Sequence, residues 1–305
     1  MISVVIPAYN EEAVLETLYS RLTSAAESWG DSFEVIIVDD CSKDATWGIL
    51  NEIHKRDPRW KAIRFSRNFG QQIAISAGMK AVSGDCTVIL DADLQDPPEL
   101  ISTFLQKWKE GYEVVYAIRT NRKESAVKRA CYKTFYWLLS KLAHIDIPGD
   151  TGDFCLMDKR VVELINSYRE SNRFLRGLRS WTGFRQIGVE YDRSARALGT
   201  PSYTVAKLFK LALDGILSFS TFPIRVMTYV GFAVSGLSLL LAAYTLIWRL
   251  THETAALGYA TIIITLSFIG GLQLVCIGVI GEYIARIYDE VKRRPLWITD
   301  STLGL

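Results

Sequence analysis

The chain has 305 residues, 35 Lys and Arg against 33 Asp and Glu for a formal charge of +2, and 49% hydrophobic residues. That length fits one domain of about 200 residues with an appendage, and the charge is too small to indicate nucleic acid as a partner. Five cysteines, at 41, 86, 131, 155 and 276, are odd in number and lack CxxC spacing; this fits a reducing cytosol better than a disulfide framework.

Met1 leads directly into Ile2-Ser3-Val4-Val5-Ile6, which reads as a first strand, and no signal peptide is visible. Pro7 stops that strand, and a helix with Glu11 and Glu12 in its first turn is expected next. A second apolar strand, Phe33 to Val38, ends in Asp39 and Asp40, and a helix follows with Ser42 or Asp44 as its N-cap. Trp60 to Phe65 is a third strand, followed by Ser66-Arg67-Asn68-Phe69-Gly70 and a helix through Ala81. Thr87 to Leu90 is a fourth, and it runs into Asp91-Ala92-Asp93-Leu94-Gln95-Asp96-Pro97-Pro98, where the prolines forbid continuation as sheet. Strand and helix alternate and the strands are apolar throughout. A mostly parallel α/β sheet with helices on both faces is the expected fold.

Such sheets bind ligands beyond the carboxyl ends of their strands. Asp39, Asp40, Asp91 and Asp93 all fall at such ends and are expected to converge. Residues i and i+2 of an extended segment share a face, so Asp91 and Asp93 aim at one point. One or two carboxylates plus substrate phosphates is the usual environment of Mg²⁺. The three histidines, His54, His144 and His252, are scattered without ligand spacing.

The last third reads differently. Val226 to Trp248 and Tyr259 to Gly281 contain no charged residue, and each is long enough to cross a hydrocarbon core of roughly 30 Å as helix. Gly231, Gly236, Gly270, Gly271, Gly278 and Gly281 suit close helix packing in a bilayer. Lys207, Lys210 and Arg225 precede the first span, and Arg286, Lys292, Arg293 and Arg294 follow the second, which puts both ends and the first domain on the cytoplasmic side. Tyr203 to Phe222 reads as an amphipathic juxtamembrane helix, broken near Gly215. The expected division is 1–200, a cytoplasmic α/β domain; 201–224, amphipathic juxtamembrane helices; 225–288, a two-helix transmembrane domain; and 289–305, a cytoplasmic tail. An integral protein of a bacterial plasma membrane is expected.

Three motifs, Val5-Ile6-Pro7-Ala8-Tyr9-Asn10-Glu11-Glu12, Val38-Asp39-Asp40-Cys41-Ser42-Lys43-Asp44 and Asp91 to Glu99, make the chain resemble family 2 glycosyltransferases of the GT-A (Rossmann-like) fold. More closely it resembles the polyprenyl-phosphate glycosyltransferases, the dolichyl-phosphate mannose synthase and GtrB-type branches. That resemblance extends through Gly152-Asp153-Phe154, Phe174-Leu175-Arg176-Gly177, Tyr191-Asp192-Arg193 and the membrane segments. It implies inverting transfer of one hexose, glucose from UDP-glucose first and mannose from GDP-mannose second, to a membrane polyprenyl phosphate. It places Pro7, Tyr9, Glu11 and Asp39, with Asp40 helping, at the donor's base and ribose. Asp93 and Gln95, with Asp91, would hold Mg²⁺ or Mn²⁺; Asp91 also counts among the donor contacts, and Asp91 and Asp93 among the catalytic groups. Asp153 matches the position of a candidate base. Arg119, Arg122, Lys128, Arg193 and Arg196 would receive the acceptor phosphate. Two departures stand out: Pro201-Ser202-Tyr203 where Ser-Lys-Tyr is expected, and Cys155 where an arginine is common. A processive polysaccharide synthase should carry Gln-x-x-Arg-Trp and more spans, and the third reading is an inactive membrane scaffold. The glycine-rich spans permit a homo-oligomer, with a tetramer expected.

Overall fold

The computed structural model describes residues 1–119, 151–168, 170–171, 173–192, 222–251 and 258–305. They divide into two units, one holding 1–119, 151–192 and 294–305, the other 222–251 and 258–293. Arg122, Lys128, Arg193, Arg196 and nearly all of the expected amphipathic segment lie outside the described residues.

The first unit is built on an eight-stranded sheet in the order β7-β5-β6-β4-β1-β2-β3-β8. Its strands are β1 (Ile2–Ala8), β2 (Phe33–Asp39), β3 (Trp60–Phe65), β4 (Cys86–Ile89), β5 (Val114–Arg119), β6 (Thr151–Asp158), β7 (Gln186–Tyr191) and β8 (Thr299–Leu303). The central strands β3, β2, β1 and β4 are parallel, as the unbroken apolar runs predict, and β1 and β2 are buried along their whole length. Helices α1 (Leu15–Ala26), α2 (Thr46–Arg56), α3 (Gln71–Ala81) and α4 (Ile101–Lys109) follow β1 to β4, while α5 (Lys159–Ser167) and α6 (Leu175–Trp181) follow β6.

Leu15, Leu18 and Leu22 recur along one face of α1 and join Ile2, Val4, Ile6, Val35, Ile37, Phe104 and Phe154 in the larger core. On the opposite face of the sheet, α3 brings Ala74 and Ala77 against Ile36, Val38, Ile63 and Phe65. Gly78 makes that approach possible, since a Cβ there would lie 2.3 Å from Val5 Cγ1.

Two expectations are corrected. α1 begins at Leu15 rather than at the acidic pair, because Asn10 takes a left-handed φ of 57° and the loop bonds outward. Backbone N–H groups of Asn10, Glu11 and Glu12 donate to Ser42 Oγ, Thr46 Oγ1 and Asp44 Oδ2, while Asn10 and Glu12 side chains accept from Lys43 and Ala45 N–H. The C-terminal segment, expected as a tail, supplies β8, which pairs antiparallel with β3. Trp297 stacks on Phe65 with ring centroids 6.2 Å apart, and Ser66 N–H donates to Ile298 O at 3.0 Å.

The second unit is a pair of long helices, α7 (Phe222–Thr251) and α8 (Tyr259–Lys292). Both are long and apolar enough to cross a membrane. Phe232, Leu240 and Leu274 are more than 70% exposed. α8 continues past Gly281 for three turns that carry Glu282, Arg286, Asp289, Glu290 and Lys292.

Candidate active site

Sheet register gathers the candidate residues at one edge. Ala8 pairs with Asp39 in parallel, so β1 and β2 end level. Ile89 of β4 pairs antiparallel with Cys155 of β6, and two residues on from Ile89 and two back from Cys155 the register brings Asp91 level with Asp153. Arg119 pairs with Tyr191 at the ends of β5 and β7. The ends of β1, β2, β4, β5 and β7 and the start of β6 therefore share the carboxyl edge that a parallel sheet offers to ligands.

The backbone there is bent in an unusual way. Asn10, Cys41 and Leu94 have φ of 57°, 62° and 57°, and each follows the end of β1, β2 or β4. A non-glycine residue in that region costs on the order of 1–3 kcal/mol and persists only where its surroundings over-determine it. Leu94 separates Asp93 from Gln95, and the turn brings Gln95 N–H to Asp93 Oδ1 at 3.1 Å.

Asp39 is fully buried; its Oδ1 accepts from Ser42 N–H at 2.9 Å and its Oδ2 lies 3.5 Å from Arg64 Nε. Asp40 is also buried, and its two oxygens accept from the Phe69 and Gly70 N–H groups at 2.6 and 2.8 Å. Burial raises the Asp40 pKa, the neighbouring Asp39 charge adds to that, and the two backbone bonds oppose it. Asp40, expected to help at the donor, holds the β3–α3 loop through these two bonds. Beside them Pro7 is buried, while Tyr9 is 43% exposed just past β1.

Asp91 accepts from Gln71 Nε2 at 2.8 Å. Burial, then the charges of Asp153, Asp96 and Asp93, pushes its pKa up to about 7. Asp96 is fully buried, accepts from the Tyr191 hydroxyl, and lies 3.8 Å from Arg119 Nη2. Arg119 also donates to the Tyr191 oxygen at 3.3 Å. Gly152 gives its guanidinium room, as a Cβ there would lie 2.7 Å from Arg119 Nη2.

Asp153 accepts three side-chain hydrogen bonds. Arg176 forks onto it, Nε to Oδ1 at 2.7 Å and Nη2 to Oδ2 at 3.1 Å, and Gln72 Nε2 donates to Oδ2 at 3.1 Å. Burial works against its charge, yet the Arg176 guanidinium, with Arg179 and Gln72, holds it below the usual carboxylate range. Arg179 itself is 2% exposed and lies over the Tyr116 ring at 5.0 Å.

Asp91, Asp93 and Gln95 offer oxygen donors suited to a hard divalent cation. No three His, Cys, Asp or Glu side chains among the described residues gather closely enough to hold one alone. Mg²⁺ and Mn²⁺ complete their shells with water and substrate phosphate, so a one- or two-carboxylate site fits. The crowding of negative charge that raises Asp91 is what such an ion relieves. Sequence reasoning did not single out Gln71, Gln72 or Asp96, and a glutamine pair or a lone aspartate carries no spacing signal that would reveal it.

The family described as glycosyl transferase family 2 matches residues 3–165, and the GtrB C-terminal hairpin matches residues 222–287. The glycosyltransferase YkcC of Bacillus subtilis is 47% identical over 304 residues, covering 99% of this chain and 94% of its own. The SfII prophage-derived bactoprenol glucosyl transferase of Shigella flexneri is 41% identical over 298 residues, covering 97% and 96%. A solved glucosyl-3-phosphoglycerate synthase from Mycobacterium tuberculosis, in complex with Mn²⁺, UDP-glucose and phosphoglyceric acid, is 20% identical, covering 71% of this chain and 77% of its own with a TM-score of 0.47.

Proposed function

Because the chain belongs to glycosyl transferase family 2 and ends in the GtrB-type hairpin, we propose that it transfers one glucose from UDP-glucose to a membrane polyprenyl phosphate. The observation that carries this reading is the 41% identity, over nearly the whole chain, to a bactoprenol glucosyl transferase. The two apolar helices agree with it, since an enzyme whose acceptor resides in a bilayer gains from being anchored there. Residues 1–200 would form the catalytic domain, with both termini on the cytoplasmic side of a bacterial plasma membrane.

In this reading an acceptor phosphate oxygen attacks the anomeric carbon as the bond to the UDP oxygen breaks, and the configuration inverts. A phosphate monoester has its second pKa near 6. The nucleophile is thus already ionised at neutral pH, and a strong protein base is not required. The depressed Asp153 carboxylate suits that division of labour: it orients Arg176 beside the reacting groups. Asp91, Asp93 and Gln95 would hold Mg²⁺ or Mn²⁺, which when bound neutralises charge on the departing diphosphate. Pro7, Tyr9, Glu11 and Asp39 would contact base and ribose, the exposed Tyr9 ring supplying a stacking surface. Asp40 would help at the donor while its side chain braces the β3–α3 loop. Arg119, Arg122, Lys128, Arg193 and Arg196 would receive the acceptor phosphate. A homo-tetramer would pack through α7 and α8, where a Cβ at Gly231, Gly236, Gly270 or Gly278 would meet no neighbouring element within 4 Å among the described residues.

Donor identity is tested by incubating purified protein and polyprenyl phosphate with UDP-glucose or GDP-mannose and weighing the lipid product by mass spectrometry. A hexosyl phospholipid from UDP-glucose, with anomeric configuration opposite to the donor, is expected. Product from GDP-mannose alone would overturn the glucose assignment.

A further inference from the structure

Two adjacent glutamines at the start of α3 touch both halves of the candidate site. Gln71 Nε2 donates to Asp91 Oδ1 at 2.8 Å. Gln72 Nε2 donates to Asp153 Oδ2 at 3.1 Å, and its Oε1 accepts from the Leu175 backbone N–H at 3.1 Å. Leu175 opens α6, and the next residue is Arg176, whose guanidinium forks onto the same Asp153. Gln72, Asp153, Arg176 and Leu175 therefore close a ring. A carboxamide is uncharged and can donate to a carboxylate while accepting from a backbone N–H. Glutamate would set a second negative charge against Asp153, and lysine could not accept from Leu175.

The platform for these amides is rigid. Residues 74 to 79 of α3 are all buried, and Gly78 seats the helix on Val5 and Val38. The turn before it is held by Asp40 through the Phe69 and Gly70 N–H groups.

We propose that Gln71 and Gln72 are a positioning pair. Through one turn of helix they fix the Asp91 carboxylate and the Asp153–Arg176 fork in a single register, so that the strand end proposed to hold the cation and the helix bearing Arg176 keep a constant separation. The proposal rests on the functional reading above for the meaning of turnover, and only its ion-binding arm is independent of the acceptor. Partners that orient a ligating or catalytic side chain are worth roughly 10–100-fold in metal affinity or activity.

The test compares Gln71→Met and Gln72→Met, close in volume and unable to bond, with the parent protein in detergent. Mn²⁺ binding in the presence of UDP is read by electron paramagnetic resonance, and kcat, acceptor KM and melting temperature are measured alongside. Gln71→Met is expected to weaken Mn²⁺ binding about tenfold and leave acceptor KM unchanged. Gln72→Met is expected to leave Mn²⁺ binding unchanged while kcat/KM for the acceptor falls about tenfold. Should Gln72→Met not fold, Gln72→Asn, a neutral amide one methylene too short to reach both Asp153 and the Leu175 N–H, carries the same expectation. Variants matching the parent in all of these quantities would overturn the pair, as would losses that simply track melting temperature without the split between ion and acceptor. A parent protein making no lipid-linked sugar would defeat the functional reading, while the Mn²⁺ arm would still judge Gln71.

Discussion

A carboxylate that accepts three hydrogen bonds, two of them from one guanidinium, is a weak base at neutral pH, and Asp153 is in that condition. If the acceptor phosphate is its own nucleophile, turnover should fall below about pH 6 as that phosphate protonates. Asp153→Asn should then lower activity by the same factor from pH 6 to 9, because what is lost is the hold on Arg176. A variant profile that changes shape across that range would restore Asp153 as a base. Removing one partner of this buried pair should also cost about 3 kcal/mol of stability by chemical denaturation. Glu34 offers a separate acid signature. Burial opposes its charge, but bonds from Lys61, Ser3 and Ser83 outweigh it and hold its pKa at about 2, against 4.5 ordinarily. Its contribution is therefore present above pH 4.5 and is lost as pH falls from there toward 2, a swing of roughly 3 kcal/mol. Glu34→Gln should flatten that acid limb; an unchanged limb would contradict the assignment.

At the scale of elements, the central strands and their parallel character were legible because β1, β2 and β4 are short apolar runs closed by polar or proline residues, a pattern that buried parallel strands require; their order in the sheet was not. That Asp39, Asp91 and Asp153 fall along one sheet edge follows from the topology. Their partners were not legible: Arg64, Gln71, Gln72 and Arg176 come from other elements, and only the fold brings them near. β8 was hidden for a different reason. Thr-Asp-Ser-Thr-Leu is polar and half exposed, as an edge strand is, and periodicity has little to register there. Its value lies in Trp297, which stacks on Phe65 and lies under Lys80 Nζ at 5.7 Å. Trp297→Ala should destabilise the first unit by about 1–2 kcal/mol. Because Ile298 O also accepts from Ser66 N–H, at the head of the loop that Asp40 holds, activity should fall with it. Full stability in the variant, measured by differential scanning fluorimetry, would show the strand to be dispensable.

The whole molecule joins a sheet edge crowded with carboxylates and arginines to two helices whose apolar side chains are largely exposed among the described residues. Neither part explains the other except through a substrate that is charged at one end and apolar along its length. Asp93→Ala should leave the fold intact and lower transfer on the order of 10²–10³-fold, the scale of losing one group that stabilises developing charge. The most direct measurement of the central claim is sugar transfer by purified protein in detergent, given labelled UDP-glucose, Mg²⁺ or Mn²⁺, and polyprenyl phosphate. Label should enter the lipid extract only when the acceptor is present and should vanish with EDTA. Label released solely as free glucose, or lipid labelling indifferent to added polyprenyl phosphate, would contradict the proposed reaction.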